Sequence, residues 1–367
     1  MRVDLVITEL NVSGAERCLT QLAKGLADSG DKVRVFSIGS LPTGEQSLLV
    51  DELRDSGIPI GTANTDHAVS FLSASKKLRS WLQESPPDVC QTFLFHANVL
   101  GTLAAKRAGV KVRVGGARVA DSNWLRCKAE KYATKRMTSL VCVSQAVQHF
   151  AANHLHCPLS KSIVIPNSVD VTRFATARPM DWTKLGWPVD AKVSLFVGRL
   201  HPQKGIPLLQ SQVEALAPKN SDRRLLLIGD GPLRDELATW ANDIGVDRVQ
   251  LLPWQSDIAP AIKACQLLVL PSYYEGMPNV VMEAMAAAKP VVCSSVEGSE
   301  ELLNHERSSQ VFPVGDAAAM KKLVEQFLSD ESLCEEVGLR NQERVKFNFS
   351  IPAMIDAYRS HYRRLVV

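Results

Sequence analysis

Leu267-Leu268-Val269-Leu270-Pro271-Ser272-Tyr273-Tyr274-Glu275-Gly276-Met277-Pro278-Asn279-Val280-Val281-Met282-Glu283 carries an apolar run through a short loop into a helix. Four aliphatic residues closed by Pro271-Ser272 read as a buried strand. Pro278 suits a first helical turn, where a missing N–H leaves nothing unsatisfied. An Ala-rich helix follows, then a second apolar run, Val291-Val292-Cys293, so the order is strand, loop, helix, strand. The free N–H groups and positive dipole end of that helix face the loop, which suits a phosphate. Glu275 sits on the loop, and Glu283 lies about one and a half turns into the helix at roughly 3.6 residues per turn. Carboxylates beside a phosphate cannot be there to hold it; they suit hydroxyl groups, which donate to them. A ligand rich in both phosphate and hydroxyl is a nucleotide sugar. The plainer alternative is a core helix with two exposed glutamates.

Outward from this stretch, short apolar runs alternate with amphipathic helical segments. The runs fall at 3–8, 33–38, 89–93, 112–115, 140–143 and 162–165, then at 193–197, 225–228, 249–252, 267–270, 290–293 and 310–312. Such alternation implies parallel sheets covered by helices on both faces. The period restarts midway, so two doubly wound domains are expected, at 1–170 and 171–348, with 349–367 as a terminal helix carrying Tyr358 and Tyr362. Residues 170–191 hold prolines and tryptophans without a clear period and are expected to form the hinge. Ligands in such folds sit at the carboxyl ends of strands, here in the cleft between the two sheets.

The chain has 367 residues, 46% hydrophobic and 22% charged, the composition of a globular protein with two real cores. No apolar run approaches the roughly 18–20 residues that span a bilayer. The first apolar run is short and followed by acids, so it reads as a strand and not a signal peptide. Eight scattered cysteines without a Cys-x-x-Cys pair fit reduced, buried thiols of a cytosolic protein. His149, His154 and His156 cluster without acidic partners and read as a solvated helix end, so no metal site is expected. Net charge is +3, but residues 106–136 hold ten Lys or Arg against Asp121 and Glu130, a local excess of +8. That stretch is either a solvated face or a surface for anionic lipid or an acidic acceptor. Aromatic interleaving is too sparse there for nucleic acid.

Other loops carry chemistry. Gly198-Arg199-Leu200-His201-Pro202-Gln203-Lys204-Gly205 follows a predicted strand and puts a guanidinium fork and an ammonium on one loop, able to neutralise a leaving diphosphate. Its alternative is a basic surface loop. Asn11-Val12-Ser13-Gly14-Ala15-Glu16-Arg17 opens the first helix with small residues that let backbone approach a ligand, or with a plain N-cap. His96 follows a strand and points toward the mouth of the cleft, where an imidazole can bind a sugar hydroxyl; a core-edge histidine is the alternative.

The string from Pro271 to Ala286 resembles the signature of the retaining family 4 glycosyltransferases of GT-B fold, and the resemblance covers nearly the whole chain. It implies two Rossmann-like domains facing across a cleft and sugar transfer from a nucleoside diphosphate sugar, UDP-sugar favoured over GDP-sugar, to a sugar or lipid-linked hydroxyl acceptor. It implies Arg199, Lys204, Glu275 and His96 as catalytic groups. Ser13, Gly14, Gly198, Gly229, Trp254, Gly276, Met277, Pro278, Asn279, Val280 and Glu283 would line the donor, without metal or cofactor. The expected setting is cytoplasmic, peripheral to the inner face of an anionic membrane. The rival readings are an epimerase of the same architecture and a non-catalytic sugar-nucleotide binding module. The chain departs from the family in three places. Ala287-Ala288-Lys289-Pro290 stands where Gly and a hydrophobic residue usually precede the proline, Ser13 replaces a glycine, and Gly116-Ala117-Arg118-Val119-Ala120-Asp121 replaces a Glu-His pair. Arg118 and Asp121 are therefore the acceptor-side candidates.

Overall fold

The structure is a computed structural model that describes residues 1–65, 71–120 and 123–366. It forms two compact units, Met1–Ser168 with Ile351–Val367, and Val169–Ser350. In the first unit the described residues form a seven-stranded, all-parallel sheet. Its strands are β1 (Arg2–Ile7), β2 (Lys32–Ser37), β3 (Ile60–Thr62), β4 (Val89–Phe93), β5 (Val112–Ala117), β6 (Ser139–Cys142) and β7 (Ser162–Val164). Their order is β3-β2-β1-β4-β5-β6-β7. β1 is apolar almost throughout because both its faces are covered. Val3, Leu5 and Ile7 pack with Leu19, Leu22 and Leu26 of the helix Gly14–Asp28 and with Tyr358 and Tyr362 of the helix Ile351–Val366. Val6 faces the opposite layer, with Leu78 and Leu82 of the helix Phe71–Glu84. β3 was not expected: three residues centred on Gly61 carry too little pattern to read as a strand, and pairing to β2 makes it one.

In the second unit the strands are β8 (Lys192–Val197), β9 (Arg223–Ile228), β10 (Val249–Leu252), β11 (Leu267–Leu270), β12 (Val291–Ser294) and β13 (Val311–Phe312), again all parallel, in the order β10-β9-β8-β11-β12-β13. Each sheet reverses direction of growth once, between β1 and β4 and between β8 and β11. Loops leaving such neighbours diverge and leave a crevice at their carboxyl ends. The stretch 170–191, expected as a hinge, is built into the second unit instead. Trp182 and Trp187 are buried, the Trp187 indole donates to the Val246 carbonyl at 2.9 Å, and Gln250 donates to the Leu185 carbonyl at 2.6 Å. Large aromatic area hidden in this way is tied to its unit. No described helix is long and apolar enough to cross a membrane.

Candidate functional site

The crevice between β8 and β11 is where the second unit gathers its chemistry. After β8 the chain makes a short turn, Pro202–Lys204, capped by the His201 ring, which accepts from the Gln203 N–H at 3.2 Å. Gly205 then takes a left-handed φ of 67°, and a Cβ there would stand 1.9 Å from the Pro271 carbonyl oxygen. Only glycine lets the two loops touch backbone to backbone. Gln203 laces them together: its carbonyl accepts from Tyr273 N–H at 2.8 Å and its amide donates to the Tyr274 carbonyl at 2.9 Å.

That lacing brings Lys204 Nζ within 2.5 Å of Glu275 Oε1, and Ser272 Oγ donates to the same oxygen at 2.7 Å. Glu275 is buried and Lys204 half-buried. Ser272 is itself fixed, its carbonyl accepting from Ser294 Oγ on β12. The ion pair leaves the ammonium two further protons to donate. Arg199 lies exposed on the same loop, its guanidinium without a side-chain partner among the described residues. Gly276, Met277 and Pro278 are buried; Pro278 is the N-cap of the helix Asn279–Ala286, where Asn279, Val280 and Glu283 are half-buried. Gly198 and Gly229 also belong here: a Cβ on Gly229 would meet the Gly198 carbonyl oxygen at 2.0 Å. Trp254 is set apart from this group, half-buried after the edge strand β10.

The first unit repeats the arrangement between β1 and β4. Ser13 takes the N-cap position of its helix, but its hydroxyl bonds the buried Glu16 carboxylate and caps no backbone N–H, so the plain capping role is not what it does. Burial raises the Glu16 carboxyl above its usual range, partly offset by that hydroxyl. Gly14 opens the helix. His96 is half-buried between Phe95 and Phe71, with ring centroids at 5.0 and 5.8 Å, just before a π-helical turn, Ala97–Gly101. Its pKa is lowered, first by burial and then by the Arg126 charge, against Glu9, so the imidazole is neutral at pH 7.

Arg118, expected on the acceptor side, is turned inward. It donates to Tyr358 Oη at 3.0 Å and to Asn167, and stacks 4.7 Å from the Phe93 ring centroid. A guanidinium this buried needs such partners, and here they are structural. Asp121 lies outside the described residues. Among the described residues no cluster of His, Cys, Asp and Glu is arranged to hold a metal. Ser272 and Gln203 were missed from sequence. Ser272 stands three residues before Glu275 in the quoted stretch, which is the signal that could have found it; nothing local marks Gln203.

The family profile described as "Glycosyl transferases group 1" matches residues 179–344, and that described as "Glycosyltransferase Family 4" matches residues 12–173. The Escherichia coli protein named UDP-Gal:alpha-D-GlcNAc-diphosphoundecaprenol alpha-1,3-galactosyltransferase is 27% identical over 342 residues, 88% of each chain. The Rhizobium meliloti lipopolysaccharide core biosynthesis glycosyltransferase LpsE is 34% identical over 49% of this chain and 52% of its own length. Among solved structures, Anabaena HepE in complex with UDP-glucose superposes with a TM-score of 0.86 at 20% identity, over 99% of this chain and 100% of that one. Shared with it is the GT-B fold of two Rossmann-like domains.

Proposed function

This chain belongs to the group 1, family 4 glycosyltransferases, and from that premise we propose that it moves a sugar from a UDP-sugar to a hydroxyl of a cell-envelope glycan or lipid-linked acceptor, with retention of configuration. The observation that carries this reading is the Lys204–Glu275 pair at the β8/β11 crevice, 2.5 Å apart and flanked by Arg199 and the closely packed glycines 198, 205 and 229. Backbone can approach a diphosphate there, and Lys204 and Arg199 meet the charge that grows on it as the glycosidic bond breaks. Glu275 holds Lys204 in place while its second oxygen, with Glu283, accepts from sugar hydroxyls. Among the described residues no carboxylate is set up as a nucleophile. The acceptor oxygen therefore attacks from the face the diphosphate leaves, and that phosphate takes the acceptor's proton.

Relatives named as transferases favour group transfer over epimerisation and over binding without chemistry. The names of the Escherichia coli relative and the Anabaena complex support uridine as the base. A cytoplasmic enzyme working at the inner membrane face fits the helix Trp124–Thr134, which exposes Trp124, Leu125 and Tyr132 beside Arg126 and Lys128. The test is incubation of the pure protein with a panel of nucleotide sugars, scoring free nucleotide. Release of UDP from one or two UDP-sugars is expected; release of GDP alone would overturn the donor assignment, and interconversion of the sugars without release would mean an epimerase.

A further inference from the structure

Glu275 has two oxygens, and two donors of the second unit converge on one of them. Lys204 Nζ lies 2.5 Å from Oε1, and Ser272 Oγ lies 2.7 Å from the same atom. Oε2 accepts from no group among the described residues and is not closed off from solvent. The Glu275 side chain keeps 10% of its surface open. A carboxylate oxygen is an acceptor only, so Oε2 is left to take a proton donor from a ligand.

The two donors hold Glu275 unequally. Lys204 carries its ammonium on a flexible four-carbon stem, which follows the carboxylate as it turns. Ser272 cannot follow. It is fully buried, its oxygen is placed by a single side-chain torsion, and its carbonyl accepts from Ser294 Oγ on β12. The next peptide is fixed as well, since Tyr273 N–H donates to the Gln203 carbonyl at 2.8 Å. A hydroxyl anchored on both sides sets the plane of the carboxylate, and the ammonium adjusts to it. We infer that Ser272 is a positioning residue: it pins Oε1 of Glu275 so that Oε2 meets a hydroxyl of the donor's sugar ring in one orientation. This role rests on the donor reading above, which gives Glu275 a sugar hydroxyl and leaves open what orients the carboxylate. Without the serine hydroxyl the carboxylate turns about its last torsions, and the ring is held less well. Lys204 and Arg199 still meet the diphosphate, so the loss falls on kcat more than on KM.

Steady-state kinetics on the full chain tests it, with whichever of UDP-glucose, UDP-galactose and UDP-N-acetylglucosamine releases UDP, and with the monodeoxy analogues of that donor. In the wild type, one deoxygenation lowers kcat/KM by about 10- to 100-fold, the size of a hydrogen bond to a charged group. Ser272→Ala lowers kcat for the intact donor about tenfold, with KM within about threefold. In that variant the cost of the same deoxygenation shrinks to about threefold or less, because both changes remove one coupled interaction. Ser272→Cys, close in shape but a weak donor, falls between the two and carries the test if the alanine variant does not give a cooperative melting curve. A deoxygenation cost as large in the variants as in the wild type, whatever their rates, means that the hydroxyl only supports the loop, and overturns the role. Wild-type kcat in both variants overturns it too. If no deoxygenation matters in the wild type, the assignment of Glu275 to a ring hydroxyl falls and takes this role with it. Release of UDP from none of the donors strikes the transferase reading itself.

Discussion

Lys204 and Glu275 are 71 positions apart in sequence and share an ion pair with Ser272 on the same oxygen. Lys204→Ala and Arg199→Ala each lower kcat by about 100-fold or more, the usual consequence of losing a donor aimed at developing charge; steady-state kinetics with saturating donor checks this, and near-normal turnover in both removes the pair from catalysis. Residue-level reading reached the charged members because charge at a strand end is conspicuous. It missed Gln203, whose contribution is two hydrogen bonds to a loop about 70 residues away, a fact of register and not of local pattern. The departure at Ala287-Ala288-Lys289 has a local meaning as well. Ala288 adopts φ +59°, with its N–H bonded to Met285 O at 3.0 Å and Lys289 N–H to Ala284 O at 2.9 Å. That is a helix stop built for glycine. Ala288→Gly relieves a left-handed penalty of about 1–2 kcal/mol, less some unfolded-state entropy, and stabilises the protein by about 1 kcal/mol in urea titration.

Among elements, strands were legible and short connectors were not. β4, β10 and β11 occupy the residues expected of them, since an apolar run between helical segments has few other uses. Ile60–Thr62 and the tryptophan-bearing stretch after residue 170 owe their state to partners distant in sequence. The helix Ile351–Val366 depends on His361, nearly buried, with its ring 2.9 Å from Ser139 Oγ on β6. Burial, with the Arg364 charge, pushes the His361 pKa down to about 4. The unfolded chain takes up this proton near pH 6.5 and the folded one only near 4. Stability is therefore complete above pH 6.5 and falls as pH drops toward 4, by on the order of 2–3 kcal/mol. Urea midpoints between pH 7 and pH 4 measure the slope, which His361→Gln flattens. The basic helix Trp124–Thr134 exposes Trp124, Leu125, Arg126, Lys128 and Tyr132 and buries only Ala133 and Thr134 at its end. Flotation with vesicles rich in acidic lipid is expected at low salt and lost at high salt, each Lys or Arg contributing about 1 kcal/mol at the surface. No flotation at low salt would refute membrane attachment and leave the enzyme assignment intact.

At the scale of the molecule, the chain passes between its units at residues 168/169 and again at 350/351, so the first unit is made of two separated pieces of sequence. Its core is incomplete without Tyr358 and Tyr362, and Tyr358 gives the buried Arg118 one of its hydrogen bonds. The order of synthesis then conflicts with the order of the sheets. The ribosome delivers β1 through β7 first, but the helix that seals them emerges only after every residue of the second unit. The unit begun second is expected to close first, while the unit begun first waits, open, for the residues after 350. Nascent chains stalled just past residue 350, outside the exit tunnel, provide the measurement: brief proteolysis should cut the first unit and spare the second, and equal protection of both would show that the seal is dispensable.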